Sequence, residues 1–315
     1  MLKSYNTPYQ ATITALGILI KLFVVGKAMG IYMNAIHFLS TGSSDCIILE
    51  SNGKFAMIDA AEDTEYPKNK PMCKLPGFEE QVVEYLFKSC ADENGEVHLD
   101  FVLGTHSHSD HIGGFDTVVL NPNVHIGRAY LKPYHPERIN YFERTQWDNA
   151  EVYTQMANAL KEKNVPIISE PDETPFYLGD FKITLFNGKY KRYIRKTGEN
   201  EHSIVTLVEA GKGRALLAGD MNFKHSGEKE ISKKVGKVDL LKVGHHCYEG
   251  SSSPLWIKTL NPDIAVITNS MKKADKRVLA RIKKYASSEV YTTVDSNGVK
   301  AIFTADKIEI KTDIM

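Results

Sequence analysis

Residues 104–114 read GTHSHSDHIGG, and within them His106, His108, Asp110 and His111 fall in six positions. In water such groups gain little from one another. Around a divalent transition metal they are useful, because zinc accepts imidazole nitrogen and carboxylate oxygen; manganese and iron are the alternatives. His106 and His108 are two apart, so in extended chain both face one way. Asp110 and His111 come after a turn and point elsewhere, which lets one ion take the first pair and a second ion the other. Gly113 and Gly114 permit a tight exit from the loop. Downstream, Asp220 follows ALLAG and can bridge two cations. His245 and His246 follow LLKVG. His245 comes directly after strand and glycine and is expected as the ligand. His246 is expected beside the ligands or beside substrate.

Each of these features follows a buried apolar run, and side chains placed after such strands gather at one edge of a sheet. NAIHFL, DCIILE (45–50) and KFAMID (54–59) read as short strands, with SNG turning between the last two. FEEQVVEYLFKSC (78–90) has amphipathic helical spacing, and LDFVLG (99–104) is a buried strand ending at the histidines. IGRAYL (126–131) reads as a strand and DNAEVYTQMANALKEKN (148–164) as a helix. VPIIS and FKITLF are short strands. SIVTLVEA (203–210) and GRALLAGD (213–220) form a hairpin. A lysine-rich helix covers 224–234, VDLLKVG (238–244) is a buried strand, a helix lies near 274–286, and a β segment closes the chain. Mixed strands with helices outside predict an α/β (α+β) fold of two packed sheets. Residues 31–315 are read as one domain.

The 315 residues carry no formal net charge, with 42% hydrophobic and 25% charged residues. That balance lacks the basic footprint of a dedicated nucleic-acid binder; KYKRYIRK (189–196) is a local exception, read as a solvated loop or a polyanion contact. Cys46, Cys73, Cys90 and Cys247 have no metal-knuckle or redox spacing and read as scattered thiols. Residues 1–30 contain ATITALGILIKLFVVGKAMG. Three readings stand: a degenerate signal or membrane-associating segment (11–26), an ordered extension, or a start-site artefact with Met29 or Met33 opening the domain. Localisation follows that choice: cytoplasmic, or secreted and cell-surface if the segment is a signal or anchor.

THSHSDHIGG resembles the signature of the metallo-β-lactamase superfamily, and ALLAGD and LLKVGHH resemble its later metal motifs. The resemblance implies an αββα sandwich with a one- or two-metal site, in which Asp59 of FAMID matches an aspartate behind the ligands. Within the superfamily, DCIILESNGKFAMIDAAED, THSHSDHIGG, YLKPYHPERINYFERTQWDN (130–149) and VGKVDLLKVGHH are similar to the catalytic modules of teichoic acid phosphorylcholine esterases, over roughly 33–270. There are departures. The wider family often has DTG where this chain has Asp59-Ala60-Ala61. Related competence proteins have HHGS where this chain has His245-His246-Cys247-Tyr248. Many superfamily hydrolases carry a further histidine ligand, for which His202 is the only candidate.

The resemblance implies a hydrolase with two zinc ions, most simply a phosphodiesterase for phosphorylcholine-type head groups. A nuclease or cyclic-nucleotide phosphodiesterase, a β-lactam, lactone or thioester hydrolase, and a non-enzymatic metal-binding module are the alternatives. In that scheme His106, His108 and His245 take one metal, Asp110 and His111 the other, and Asp220 both. Asp110 also orients the water and His246 meets the leaving group or a phosphate oxygen. Tyr130 and Lys132 are expected at phosphate. Trp147, with Tyr134 or Tyr141, is expected either as an aromatic face for a quaternary ammonium or as core.

Overall fold

The computed structural model describes residues 33–63, 70, 73, 76–190, 196–223 and 227–315. The readings of residues 1–30 and most of KYKRYIRK lie outside them. No helix among the described residues is long and apolar enough to cross a membrane. Asn34–Met315 forms one compact unit.

The first sheet begins as an antiparallel meander of β1 (Asn34–Phe38), β2 (Cys46–Ser51) and β3 (Lys54–Ala60). Alternation decides which residues face where. Ile47, Leu49, Ala56 and Ile58 point to the sandwich interior, while Cys46, Ile48 and Met57 point outward to helices. β3 then pairs in parallel with β4 (Val97–Gly104), after the crossover helix α1 (Glu79–Cys90). β5 (Val124–Ile126), β6 (Ala129–Leu131) and β7 (Ile167–Ile168) complete that side in parallel. The second sheet holds β8 (Phe176–Leu178), β9 (Phe181–Phe186), β10 (Val205–Ala210), β11 (Gly213–Leu217), β12 (Leu240–Lys242), β13 (Ile264–Ile267) and β14 (Glu289–Thr292). β10 and β11 form the expected hairpin. The closing β segment divides: β14 edges the second sheet, whereas β15 (Val299–Phe303) and β16 (Ile308–Thr312) return to pair beside β1.

Three apolar layers hold the four structural layers together. Phe38, Leu49, Phe101 and Leu103 of the first sheet meet Phe181, Ile183, Leu217 and Val266 of the second. Outside the first sheet lie α1, α3 (Phe115–Leu120) and α5 (Asn149–Glu162), through Leu86, Val118 and Met156. Outside the second lie α6 (Gly227–Val235), α7 (Pro254–Leu260) and α8 (Lys276–Tyr285), through Ile231, Trp256 and Ile282. Each fully buried large side chain contributes about 1.5–3 kcal/mol relative to exposure. The result is an αββα sandwich in which β4, β11 and β12 all point their C-terminal ends toward one edge. The four cysteines are buried, Cys46 and Cys90 in the layer outside the first sheet and Cys247 in the layer outside the second.

Candidate metal centre

β4 ends at Gly104, and the chain enters the histidine cluster through Thr105. Asp59, at the end of β3, fixes that entry. Its Oδ1 accepts the Thr105 N–H at 2.8 Å, and its Oδ2 accepts the Thr105 hydroxyl at 2.8 Å and lies 2.7 Å from His111 Nδ1. The Asp59 backbone is left-handed, at φ 56°, which costs about 1–3 kcal/mol in a non-glycine residue. Burial pushes the Asp59 carboxyl up, against the pull of His111. The short helix α2 (Ser109–Ile112) turns the chain after His108. Gly113 and Gly114 then pass so close to Asp63 and Ala60 that a Cβ on either would overlap backbone. Their φ values are negative, so close approach is the requirement here.

The four residues fall into two groups of facing donors. His106 Nε2 faces His108 Nδ1 at 3.1 Å. Their other nitrogens are engaged: His106 Nδ1 meets Thr105 Oγ1 at 3.0 Å and Ser203 Oγ at 3.3 Å, and His108 Nε2 meets Glu143 Oε1 at 2.9 Å. His106, His108 and Asp220 bring one donor atom each within 4.8 Å of one another; Asp110, His111, Asp220 and His246 do the same. Asp220 belongs to both groups. It follows β11 through Gly219, whose φ of +52° and tight contact with Ser203 and Thr105 favour glycine.

The two histidines after β12 exchange the places expected for them. His246 Nε2 lies 3.2 Å from Asp110 Oδ2, 3.4 Å from Asp220 Oδ2 and 3.2 Å from His111 Nε2. His245 joins neither group. Its Nε2 is 3.9 Å from Asp220 and meets Asn200 Nδ2 at 3.2 Å, and its side chain keeps 25% exposure. The cause is backbone geometry: His245, His246 and Cys247 all have positive φ, at 51°, 48° and 63°. The chain coils left-handed there, so strand alternation no longer says which imidazole turns inward.

Behind these groups stand two carboxylates with different partners. Asp45 Oδ1 lies 3.3 Å from His246 Nδ1, and its Oδ2 pairs closely with Lys242. Lys242 is fully buried and donates to Gly219 O at 3.0 Å. Burial alone would raise Asp45, but Lys242 and His246 outweigh it and hold the carboxyl low. Glu143, on α4 (Tyr141–Gln146), is the other. Besides His108 it accepts the Glu199 N–H at 2.8 Å, Asn149 Nδ2 at 3.1 Å and Asn140 Nδ2 at 3.2 Å. The sequence reading missed Glu143 and Lys242, although Asn140 and Glu143 show the N-cap and N3 spacing that starts α4.

The remaining expectations fare differently. Trp147 stands at the site, its ring stacked near His108 (centroids 6.5 Å, 22°) with Phe142 edge-on at 5.6 Å. Tyr141 is 73% exposed on the same helix, while Tyr134 packs near Tyr153. Tyr130 does not reach the site: β6 turns it between the sheets against Phe101 and Phe176, where its hydroxyl accepts Arg128 Nε. Lys132 is buried and donates to the carbonyls of Asn187 and His202, bracing two loops. His202 is in neither donor group. Its ring stacks on Tyr190 at 4.0 Å and its Nε2 meets Thr197 Oγ1.

The donor set fits cations. Buried Asp220 Oδ1 makes no well-aligned hydrogen bond, although His111 Nε2 lies 3.2 Å away. His111 Nε2 and His246 Nε2 face each other at 3.2 Å, and with both imidazoles charged two N–H groups would oppose each other along that line. Electrostatics point the same way. Burial opposes ionising Asp220, yet His246 and His111 hold it well below the carboxylate range. Burial opposes charging His111 and His246, yet Asp220 with Asp59 or Asp45 raises both well above the usual imidazole value. The carboxylates thus draw positive charge into this pocket, and divalent ions would compete for the places those protons take. His106, driven well below the usual value by burial and by its histidine neighbours, is held neutral, as a ligand must be.

Residues 39–268 match the family model described as "Metallo-beta-lactamase superfamily". Recombination protein 2 of Haemophilus influenzae is 36% identical over 87% of this chain and 29% of its own length. Competence protein ComA of Neisseria gonorrhoeae is 25% identical over 65% of this chain and 24% of its own. Hydroxyacylglutathione hydrolase of Prochlorococcus marinus is 26% identical over 64% of this chain and 70% of its own. The chain therefore spans under a third of the two longer relatives.

Proposed function

The chain belongs to the metallo-beta-lactamase superfamily, and from that premise we propose that it is a two-zinc hydrolase of phosphodiesters. The observation that carries the reading is Asp220, a buried carboxylate common to both donor groups. One cation would be held by His106 Nε2, His108 Nδ1 and Asp220, and a second by Asp110, His111, His246 and Asp220. Two such ions would supply an acidified water, with a pKa lowered to about 7, and charge neutralisation for a phosphoryl group.

The chain's own residues do the rest. Asp59 and Glu143 fix the tautomers of His111 and His108 by occupying their outer nitrogens. Asp45 and Thr268, 3.1 Å from His246 Nδ1, do the same for His246. Asp110, 19% exposed, lies where it can accept a proton from attacking water. His245, partly exposed and outside both groups, is suited to meet a phosphate oxygen or protonate a leaving group, the role the sequence reading gave to His246. Trp147 and Phe142 form an apolar wall beside His108, which favours a substrate with a stacking or quaternary ammonium group next to phosphate.

A second reading within the same chemistry is cleavage of nucleic-acid phosphodiesters. The names of the recombination and competence relatives favour it, as does the aromatic wall, since bases stack on such faces. The hydrolase relative keeps acylglutathione-type substrates in the comparison. One panel separates these readings: p-nitrophenyl phosphorylcholine, bis-p-nitrophenyl phosphate, a cyclic nucleotide, single-stranded DNA, an acylglutathione and a cephalosporin, each with zinc-loaded and chelated protein. Zinc-dependent turnover of the phosphodiesters is expected. Turnover confined to acylglutathione or cephalosporin, or none with both ions bound, overturns the proposal.

A further inference from the structure

A second donor cluster lies at the opposite end of β4. His98, near the start of β4, and His125, on β5, are register partners on adjacent parallel strands. Their rings stack at 4.8 Å and 20°. Glu96 Oε2 lies 3.3 Å from His125 Nε2 and 3.7 Å from His98 Nε2. Asp92 Oδ2 is 3.6 Å from His98 Nε2. His98 and Gly104 are six residues apart on β4, so the cluster is about 20 Å from the strand end that carries the metal centre. We infer that Glu96, His98 and His125, with Asp92 as a fourth donor, form a separate zinc-class metal site on the surface.

The geometry supports this in three ways. First, the three donor atoms lie within 4.8 Å of one another. Glu96 Oε2 lies 3.3 and 3.7 Å from the two imidazole nitrogens, close to the spacing of about 3.3–3.6 Å between donors that share a tetrahedral zinc at about 2.0–2.2 Å. Second, the carboxylates are presented by a built turn. Asp92 N–H donates to Glu96 O at 2.8 Å, and Asp92 Oδ1 accepts the N–H groups of Asn94 and Glu96 at 2.8 and 2.9 Å. That leaves Asp92 Oδ2 turned toward His98, and Gly95 supplies the left-handed residue of the turn at φ +78°. Third, the stacked imidazoles turn their Nε2 atoms toward one carboxylate oxygen, Glu96 Oε2. A single cation can serve both nitrogens and the carboxylate together. Two histidines with one or two carboxylates suit zinc or copper(II) and disfavour calcium and magnesium. The ion would tie the Asp92–Glu96 turn to β4 and β5, as a stabilising clip remote from the hydrolytic edge.

The test compares zinc bound per chain, by equilibrium dialysis against buffered micromolar zinc, for the unaltered protein and the His98→Ala/His125→Ala double variant. These side chains are 58% and 47% exposed, so the fold is expected to persist, with circular dichroism as the check. The expected result is one equivalent fewer in the double variant, with unchanged phosphodiester turnover. Glu96→Gln should weaken that same equivalent by about tenfold or more. As a second measurement, adding zinc beyond saturation of the central site should shift the imidazole NMR signals of His98 and His125. Equal stoichiometry in a folded double variant, or no shift at those imidazoles, overturns the inference. The difference is read whether the central site holds two ions, one or none, so failure here is distinct from failure of the hydrolase reading.

Discussion

Replacing Glu143 by glutamine should uncouple the two halves of the metal centre. Glu143 Oε1 lies 2.9 Å from His108 Nε2, and the carboxylate accepts three further donors, from Glu199, Asn149 and Asn140. Glutamine keeps the shape but loses the charge, and its amide NH2 must oppose one of these donors. Hydrogen bonds to charged groups contribute about 1.5–3 kcal/mol each, so a stability loss of about 2 kcal/mol is expected in the metal-free protein. A merely structural role would stop there. A positioning role predicts more: His108 loses the partner that fixes its tautomer and its basicity at Nδ1. Disturbing such a partner weakens metal affinity by about 10–100-fold, equivalent to about 1.4–2.7 kcal/mol. The loss should be confined to the ion held by His106, His108 and Asp220, because Glu143 touches no residue specific to the other group. Zinc titration against a competing chelator resolves the two binding steps. The expected outcome is one step weakened and the other unchanged. Both steps unchanged, or both weakened alike, would refute the reasoning.

Other outcomes follow from the same geometry. His246→Ala should lose the ion of the Asp110 group, whereas His245→Ala should keep both ions and lose turnover; zinc content by mass spectrometry distinguishes them. Asp59→Asn should lower the melting temperature and the zinc content together, since Asp59 holds both Thr105 and His111. Glu199, buried with Oε1 unpaired, is pushed up to about 7 by burial. Its folded pKa lies above its unfolded value of about 4.5, so its contribution is most favourable at low pH and is lost as pH rises from about 4.5 through 7. Glu199→Gln should therefore flatten the decline in metal-free stability over that range, by up to about 3 kcal/mol, as denaturant unfolding at several pH values would show.

The sandwich was legible because β2, β3, β4, β10 and β11 carry strong apolar runs, and because helix and strand periods differ. VPIIS was legible as a strand and holds the two-residue β7, whereas β8, three residues long, offers too little pattern to set against the surrounding loops. The pairing of His106 with His108, and of Asp110 with His111, was legible because both depend on local chain direction. The exchange of His245 and His246 was not, because three successive left-handed residues defeat any periodicity argument. Tyr130 and Lys132 went astray for a related reason. Sequence placed them at a strand end, but the face each turns to is set by Phe176 and by carbonyls dozens of residues away. Glu143 announced itself only as a helix-start residue; its contact with His108 exists because α4 packs over the metal loop, a tertiary fact with no local signature.

The account rests on two donor groups that share Asp220, and anomalous scattering from zinc-soaked crystals tests it most directly. The predicted map has two peaks about 3.5–4 Å apart, one bounded by His106, His108 and Asp220 and the other by Asp110, His111, His246 and Asp220. A single peak, or a peak held by His245 in place of His246, would contradict it.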